Sequence, residues 1–271
     1  MAKLIRDIMH KGLITCLPET PLGQVAVLLT QHHVHALLVA NLSGDPLGVI
    51  SDFDLLAGEW LSTDQTALAT MKGLTAGNLM TSPVDTIAAD MSLTDAARIM
   101  LEKQVHRLMV SDKNKPLGVV SISDLVANIA TQMEAKREKV SDVMSDAFLV
   151  CRNKTPIISA AQTLTRTHWR SVIIVNEKGK PEGVVTGQDL LWHIDSNGVY
   201  EKLTVGDIMT HTLTTIDVNA SLHEAANLMI QKHQHRLIVI DTNETDGFPF
   251  GIISSFDIVA EMARPGSVWQ G

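Results

Sequence analysis

The segment Gly48-Val49-Ile50-Ser51-Asp52-Phe53-Asp54 has three counterparts further along the chain. They are Gly118-Val119-Val120-Ser121-Ile122-Ser123-Asp124, Gly183-Val184-Val185-Thr186-Gly187-Gln188-Asp189 and Gly251-Ile252-Ile253-Ser254-Ser255-Phe256-Asp257. Each copy reads Gly, two aliphatic residues, Ser or Thr, two variable residues and Asp. The β-branched aliphatic residues predict a short buried strand. A hydroxyl residue followed three positions later by an acid predicts a capping box at the start of a helix.

The acid of this motif has two interpretations. Capping alone would explain it, because the hydroxyl and the acid together satisfy backbone groups at a helix N-terminus. Ligand binding would explain it too, since a carboxylate can accept hydrogen bonds from a sugar diol and the N–H groups beside it favour an anion. All four copies keep the acid while neighbouring positions change, which favours ligand binding at some of them, although a common need for a cap would have the same effect.

A second motif, which ends in Met, precedes each copy, and the two motifs delimit four repeats. It occupies residues 5–9, 76–80, 140–144 and 205–209, and the Met lies 44 to 48 residues before the closing Asp. Between them we predict a short strand, a helix with apolar residues three and four apart, an aliphatic strand and a polar turn. The chain is therefore predicted to be an α/β (α+β) protein of four β-α-β-β-α units. Because one such unit buries little core, the units should pack in pairs.

Composition narrows the function classes. Of the 271 residues, 45% are hydrophobic but only 4% are aromatic, so Val, Ile, Leu, Ala and Met must build the core. The net charge of −8 argues against a protein that binds nucleic acid by general phosphate attraction. Cys16 and Cys151 are too few for a disulfide framework or a CxxC metal knuckle. No signal peptide and no apolar run near the ~18 residues of a membrane span stand out, so we expect a cytoplasmic location.

Three of these features together resemble the cystathionine-β-synthase (CBS) domain. They are the opening Asp7-Ile8-Met9, the strand entry His106-Arg107-Leu108 and the closing Gly-x-x-Ser/Thr-x-x-Asp, and the resemblance covers essentially the whole chain four times. In that family two CBS units form a pseudo-two-fold pair, the Bateman module, whose clefts commonly bind adenosine-containing ligands. The resemblance implies two such pairs, 1–135 (repeats at about 1–62 and 72–135) and 136–271 (repeats at about 136–198 and 201–264), with a charged break at 132–139.

The resemblance also assigns ligand contacts, position by position. The closing acids bind ribose hydroxyls, and these acids are Asp54, Asp124, Asp189 and Asp257. The hydroxyls beside ribose and phosphate are Ser51, Ser121, Thr186 and Ser254. A first-strand residue near the adenine maps to Thr15, Thr86, Val150 and Thr215. Phosphate-directed basic pairs are His106-Arg107 and His235-Arg236; the first repeat reads His35-Ala36 and the third Trp169-Arg170, which assigns Arg170 to the arginine position.

These assignments imply a regulatory sensor. It would bind AMP, ADP, ATP or S-adenosylmethionine between paired repeats and transmit a conformational change to a protein target in trans, with a homodimer through the CBS modules as a further expected assembly. The alternative is a ligand-free CBS scaffold for oligomerisation or interaction. An enzyme is the weakest interpretation, because no catalytic triad or metal-ligand spacing stands out. The histidines of segments 32–35 and 233–235 admit a metal interpretation, but no Cys or organised carboxylate stands near them, so we assign neither a metal site nor a catalytic residue.

Overall fold

The computed structural model of the chain describes residues 3–32, 34–52, 54–55, 73–112, 115–131, 138–167, 169, 171–187, 189–190, 202–243 and 248–266. Within these ranges every repeat has the predicted order of strands and helices, and the α/β fold class is confirmed. The agreement has a local cause, since the central strands are aliphatic runs and the long helices have a 3.6-residue apolar pattern.

Each repeat builds one small mixed sheet. Its central strand is β3 (Ala36–Ala40), β6 (Arg107–Asp112), β9 (Ser171–Val175) or β12 (Arg236–Ile240). The first strand pairs with it in parallel and is β2 (Thr15–Cys16), β5 (Thr86–Ala88), β8 (Val150–Arg152) or β11 (Thr215–Asp217). The last strand pairs with it antiparallel and is β4 (Pro46–Ser51), β7 (Lys115–Ser121), β10 (Pro181–Thr186) or β13 (Gly251–Ser254). Strand β1 (His10–Lys11) adds a fourth strand beside β7.

Short opening helices and longer amphipathic helices accompany the sheets. The Met motif forms the short opening helices α1 (Ile5–Ile8), α3 (Ala76–Leu79), α6 (Val140–Val143) and α8 (Val205–Ile208). The amphipathic helix after the first strand is α2 (Leu22–Gln31), α4 (Leu93–Glu102), α7 (Ile157–Thr167) or α9 (Leu222–Lys232). The closing helices of the second and fourth repeats are α5 (Ile122–Ala130) and α10 (Ser255–Ala263). Those of the other two repeats begin at residues 52 and 187, and the structure describes them as far as residues 55 and 190.

The opening segments are exchanged between neighbouring repeats. The segment after Met9 pairs with β7 of the second repeat, and Thr81 in turn bridges to β4 of the first. Likewise, Ser145 bridges to β13 of the fourth repeat and Thr210 to β10 of the third. These exchanges link the first repeat with the second and the third with the fourth, which are the partners of the predicted pairs. The residue limits of those pairs, 1–135 and 136–271, stay a prediction.

The exchange explains the repeated glycine. A Cβ atom at Gly48 would lie 2.5 Å from the Sδ atom of Met80, and one at Gly118 would lie 2.0 Å from the carbonyl oxygen of His10. Gly183 and Gly251 are equally crowded by the opening segments that cross them. Any side chain at these positions would have to displace part of the opening segment that crosses the strand. The glycine of each closing motif therefore packs directly against the opening segment of the neighbouring repeat.

The chain folds into two compact units, each of which joins alternate repeats. The even unit comprises Met1–Gly12, Asp85–Phe148 and Leu213–Gly271, and therefore holds the second and fourth repeats. The odd unit comprises Leu13–Val84 and Leu149–Thr212, and holds the first and third. In the even unit α5 and α10 pack on each other and on α4 and α9, so one continuous hydrophobic core spans both repeats. In the described part of the odd unit each repeat has its own cluster.

Candidate functional site

Each sheet carries a row of four neighbouring side chains on one face. Cross-strand partners share a face, so the register defines the row. In the second repeat Leu108, Val110 and Val120 point into the helical core, which places the row on the opposite face. From the first strand to the crossing segment, the rows are Thr15–Leu38–Val49–Thr81, Thr86–Met109–Val119–His10, Val150–Ile173–Val184–Thr210 and Thr215–Ile238–Ile252–Ser145.

The composition of the rows suits a flat base with polar edges. The first-strand residue is exposed in all four, and it includes the predicted adenine neighbours Thr15, Thr86 and Thr215. The central residue is a buried aliphatic or methionine side chain, such as Met109 or Ile173. The residue on the crossing segment carries a hydroxyl in the rows of the first, third and fourth repeats. In the row of the second repeat it carries the imidazole of His10. An apolar floor with a few polar groups at its ends is typical of small-ligand sites.

The closing acids cap the helices, as predicted. In every copy one carboxylate oxygen, Oδ2, accepts hydrogen bonds from the backbone N–H and from the hydroxyl of the residue three positions earlier. The donor–acceptor distances lie between 2.6 and 2.8 Å for the pairs Ser51–Asp54, Ser121–Asp124, Thr186–Asp189 and Ser254–Asp257. Both sequence interpretations therefore remain open, because this capping involves one of the two carboxylate oxygens.

Burial changes the chemistry of one of these acids. Desolvation raises the pKa of Asp257, although the hydrogen bonds from Ser254 and the positive charge of Arg236 act in the opposite direction. The carboxylate has thus lost part of its hydration, and the charge of Arg236 acts on it. In such surroundings a hydrogen bond from a ligand hydroxyl is stronger than it would be in water.

The strand register places an arginine beside each helix start in the even unit. Arg107 pairs with Ser121, and Arg236 pairs with Ser254. In the odd unit small residues take this position, since Ala36 pairs with Ser51 and Ser171 pairs with Thr186.

The register also corrects the sequence alignment of the third repeat. There Ser171, not Arg170, is the equivalent of Arg107. The alignment was wrong by one residue, because register follows the aliphatic run of β9 rather than the basic residue before it. Arg170 itself lies outside the described residues, and its binding role stays a prediction.

In the even unit the two basic pairs meet the two helix starts. The ring of His106 lies 5.3 Å from that of Phe256, with an interplanar angle of 39°. Reciprocally, Nδ1 of His235 lies 3.4 Å from Oγ of Ser123. Phe256 and Ser123 occupy the same variable position of the motif, just inside the first turn of α10 and α5. Each histidine therefore reaches the helix start of the other repeat, and the two halves form one centre.

The odd unit lacks this arrangement in its described residues. Nδ1 of His35 lies 2.8 Å from Oδ2 of Asp52, whose side chain is only 15% exposed. At the position of Asp52 the other repeats have Ile122, Gly187 and Ser255. The first repeat thus pairs its histidine with a largely buried acid at the helix start, where an anion would be repelled.

Sequence reasoning missed the residue that follows each opening Met. In the second repeat Nε2 of His10 lies 2.8 Å from Oδ1 of Asp124, the oxygen that the cap does not use. The available signal was an internal comparison, because this position is His10, Thr81, Ser145 and Thr210 in the four opening segments. This comparison does not show what the residue contacts, because the strand exchange brings His10 to an acid more than a hundred positions away in the sequence.

Two further features concern the described residues only. Among them, no group of three or more His, Cys, Asp or Glu side chains is arranged to hold a metal ion; His33, part of one histidine cluster, lies outside the described ranges. None of the helices in the described part of the chain has the length and apolarity needed to cross a lipid bilayer.

The family model of the CBS domain matches residues 5–59, 76–131, 140–196 and 205–264. The chain belongs to the CBS-domain family. Its four CBS repeats coincide with the four sheets and with the four capped helix starts described above. The predicted family and repeat number are both confirmed.

Three relatives illustrate the similarity. The curated protein MJ1404 of Methanocaldococcus jannaschii is 30% identical over 190 residues, and the match covers 69% of this chain but only 43% of that protein. This chain thus spans less than half the length of that relative. The crystal structure of protein MJ1225 from the same organism has a TM-score of 0.85 at 17% identity, covering 96% of this chain and 100% of that one, which shows a common fold. CBSX2 of Arabidopsis thaliana, solved in complex with AMP, is 30% identical with a TM-score of 0.41, covering 47% of this chain and 96% of that one.

Proposed function

We propose that this chain is a regulatory protein that binds adenosine-containing ligands on its CBS repeats and transmits the binding to a protein partner. The observation that carries the proposal is the centre in the even unit. There two His-Arg pairs and two helix N-termini come together through the reciprocal contacts of His106 with Phe256 and of His235 with Ser123.

The chemistry of this centre suits phosphate groups. Arginine presents a planar fork of donors that matches phosphate oxygens, and Arg107 and Arg236 each lie across the ladder from a capping serine. The first turns of α5 and α10 add the positive end of a helix dipole. The protein has a net charge of −8, so this concentration of basic side chains is local, which favours a specific anionic ligand over general electrostatic binding.

The neighbouring row would hold the nucleoside. The base would lie on Ile238 and Ile252, with the exposed Thr215 at its edge. The ribose hydroxyls would bond the carboxylate of Asp257, which is partly desolvated by burial. By the same logic AMP, ADP and ATP fit the even unit best, and an adenosyl compound without phosphates, such as S-adenosylmethionine, fits a row of the odd unit.

The proposed role is binding rather than catalysis. The four acids at the helix starts hold capping hydrogen bonds, so they act as fixed acceptors rather than as proton carriers. A ligand can change the arrangement of the repeats only through its different affinity for two arrangements, and a partner or a second copy of this chain would sense that change. A cytoplasmic location belongs to the same proposal.

Thermal unfolding with AMP, ADP, ATP, NAD, S-adenosylmethionine and cyclic di-AMP tests this function. A ligand at 100 times its Kd should add about 2.7 kcal/mol to the free energy of unfolding. Arg236→Ala and Asp257→Asn should each reduce that gain. Glu224→Gln is the matched control, because Glu224 caps α9 through the same geometry, with a 2.8 Å bond from the N–H of Ser221, but belongs to no helix start of the centre. If no compound raises the melting temperature, the proposal is wrong and the ligand-free scaffold takes its place.

A further inference from the structure

We propose that His10 is an internal competitor for the ribose acid of the second repeat. By occupying Asp124, it makes the row of the second repeat a weaker adenosyl site than the row of the fourth. This inference rests on the proposed function and adds to it a residue that sets the affinity of one particular row.

The position of His10 follows from strand pairing. Strand β1 pairs with β7 over two residues, His10 with Val119 and Lys11 with Gly118. His10 therefore lies on the same face as Val119, Met109 and Thr86, the row that corresponds in the second repeat to the proposed base row of the fourth. The crossing segments of the other three repeats make single bridges instead, so the first one is held in register by the longest pairing.

The imidazole of His10 contacts the carboxylate of Asp124 directly. Nε2 of His10 lies 2.8 Å from Oδ1 of Asp124, while Ser121 donates twice to Oδ2 at 2.7 Å. Both oxygens of this carboxylate are thus engaged within the protein. A ribose diol that binds through Oδ1 of Asp124 must therefore compete with the imidazole for that oxygen.

The exposure of the two side chains determines how strongly His10 lowers the affinity of this row. The side chain of Asp124 is 10% exposed, but that of His10 is 74% exposed. An exposed partner gains little from such a pair and can turn away into solvent. His10 should therefore lower the affinity of this row a few-fold rather than block it.

The other three rows provide a comparison. Thr81, Ser145 and Thr210 occupy the position of His10, and all three side chains are shorter. The hydroxyl of Ser145 donates to the carbonyl oxygen of Ala147 at 2.9 Å, away from Asp257. The row of the fourth repeat lies in the same unit as that of the second and also has a His-Arg pair. Its acid, Asp257, has a different neighbour on the crossing segment.

Calorimetric titration of the adenylate that raises the melting temperature tests the inference, in an Asp257→Asn background that weakens the fourth row. His10→Thr, the residue of two other repeats, should raise the remaining affinity three- to fivefold, and a further Asp124→Asn should remove the gain. Lys11→Thr is the matched control, since Lys11 is the exposed neighbour in β1 and changes the charge without touching Asp124. An unchanged or lower affinity in His10→Thr would overturn the inference and make His10 a ligand contact or a bystander.

A second readout separates the two proposals. In the ligand-free protein, Asp124→Asn should shift the imidazole NMR signals of His10, whereas Asp257→Asn should leave them in place. No shift with Asp124→Asn means that the contact is absent, which overturns the inference even if adenylates bind. If the wild type and His10→Thr both bind no adenylate, the proposed function fails and the competitor role fails with it.

Discussion

The even and odd units are built from the same repeat but differ where the middle strand enters the sheet. In the even unit the residue opposite the capping hydroxyl is an arginine, at 107 and 236, and a histidine precedes it. In the odd unit the same position holds Ala36 and Ser171. Within the described residues, both units nevertheless have the same strand order, the same cap and a segment that crosses each last strand.

This comparison separates what the fold requires from what a ligand requires. The capping acid and the glycine under the crossing segment occur in all four repeats, and each has a structural explanation. Their repetition therefore does not by itself locate a binding site. The His-Arg pairs are not common to all four repeats, and they occur together in one unit. They are the better guide to where phosphate would bind.

The largest expected difference concerns the stability of the crossing contacts. In the even unit a Cβ at residue 118 would overlap the backbone carbonyl of His10, whereas in the odd unit a Cβ at residue 48 first meets the flexible side chain of Met80. We expect Gly118→Ala to lower the free energy of unfolding by about 3 kcal/mol or more and Gly48→Ala by about 1 to 2 kcal/mol. Denaturant unfolding measures both. Gly23→Ala, in α2 with no atom near its Cβ position, should cost nothing; equal losses at 118 and 48 would contradict the account.

The next difference concerns the histidines. His235 lies beside Ser123 in the proposed phosphate centre, while His35 is paired with Asp52. We expect His235→Ala to weaken ATP binding about tenfold, the usual effect of losing one charge-assisted hydrogen bond, and His35→Ala to change it less than twofold. Equilibrium dialysis with labelled ATP measures both variants. A larger loss in His35→Ala would place the phosphate site in the odd unit.

The smallest difference lies within the even unit, at equivalent positions of α5 and α10. Both side chains are buried, and among the described residues each leaves one polar atom without a hydrogen-bond partner. Asn128 accepts a 2.9 Å hydrogen bond from Lys3, whereas Glu261 is an ionisable acid 3.2 Å from Arg264. Burial, and next the nearby Glu138, raise the pKa of Glu261. The folded state therefore keeps this proton to a higher pH than the unfolded state does, so the stability from this group is full below the ordinary Glu pKa and is lost as pH rises through the raised pKa.

Replacement of this acid by an amide tests that sign. Glu261→Gln should be more stable than the wild type at pH 8 by about 1 kcal/mol, and the difference should vanish below about pH 4. Thermal unfolding across this pH range measures it, and Glu102→Gln, an exposed acid of α4, is the control. A stability difference that does not depend on pH would show that the fold does not raise the pKa of Glu261.

The local features of the fold could be predicted from the sequence. Short aliphatic runs, 3.6-residue patterns and Ser-x-x-Asp caps are each contained in a few neighbouring residues, so the four β-α-β-β-α repeats and their family followed from them. The packing of alternate repeats into one unit depends on which helix faces contact each other. The sequence of a single helix does not show which other helix it packs against. The exchange of opening segments could not be predicted either, because it brings together residues that are far apart in the sequence, such as His10 and Gly118.

Only part of the candidate site could be predicted. The acids, the hydroxyls and the two His-Arg pairs follow from the repeat motif. The convergence of those pairs in one unit, the one-residue register of β9 and the approach of His10 to Asp124 depend on pairing between distant strands. Such pairing is set by the whole sheet rather than by the residues themselves.

The central claim is that the even unit holds the phosphates through Arg107 and Arg236. Calorimetric titration of ATP and of adenosine into the wild type, into Arg107→Ala/Arg236→Ala and into Arg98→Ala, whose guanidinium is paired with Asp95, tests it most directly. We predict that the double variant loses ATP affinity on the order of a hundredfold, that it binds adenosine as the wild type does, and that Arg98→Ala binds both normally. Wild-type ATP affinity in the double variant would contradict the claim.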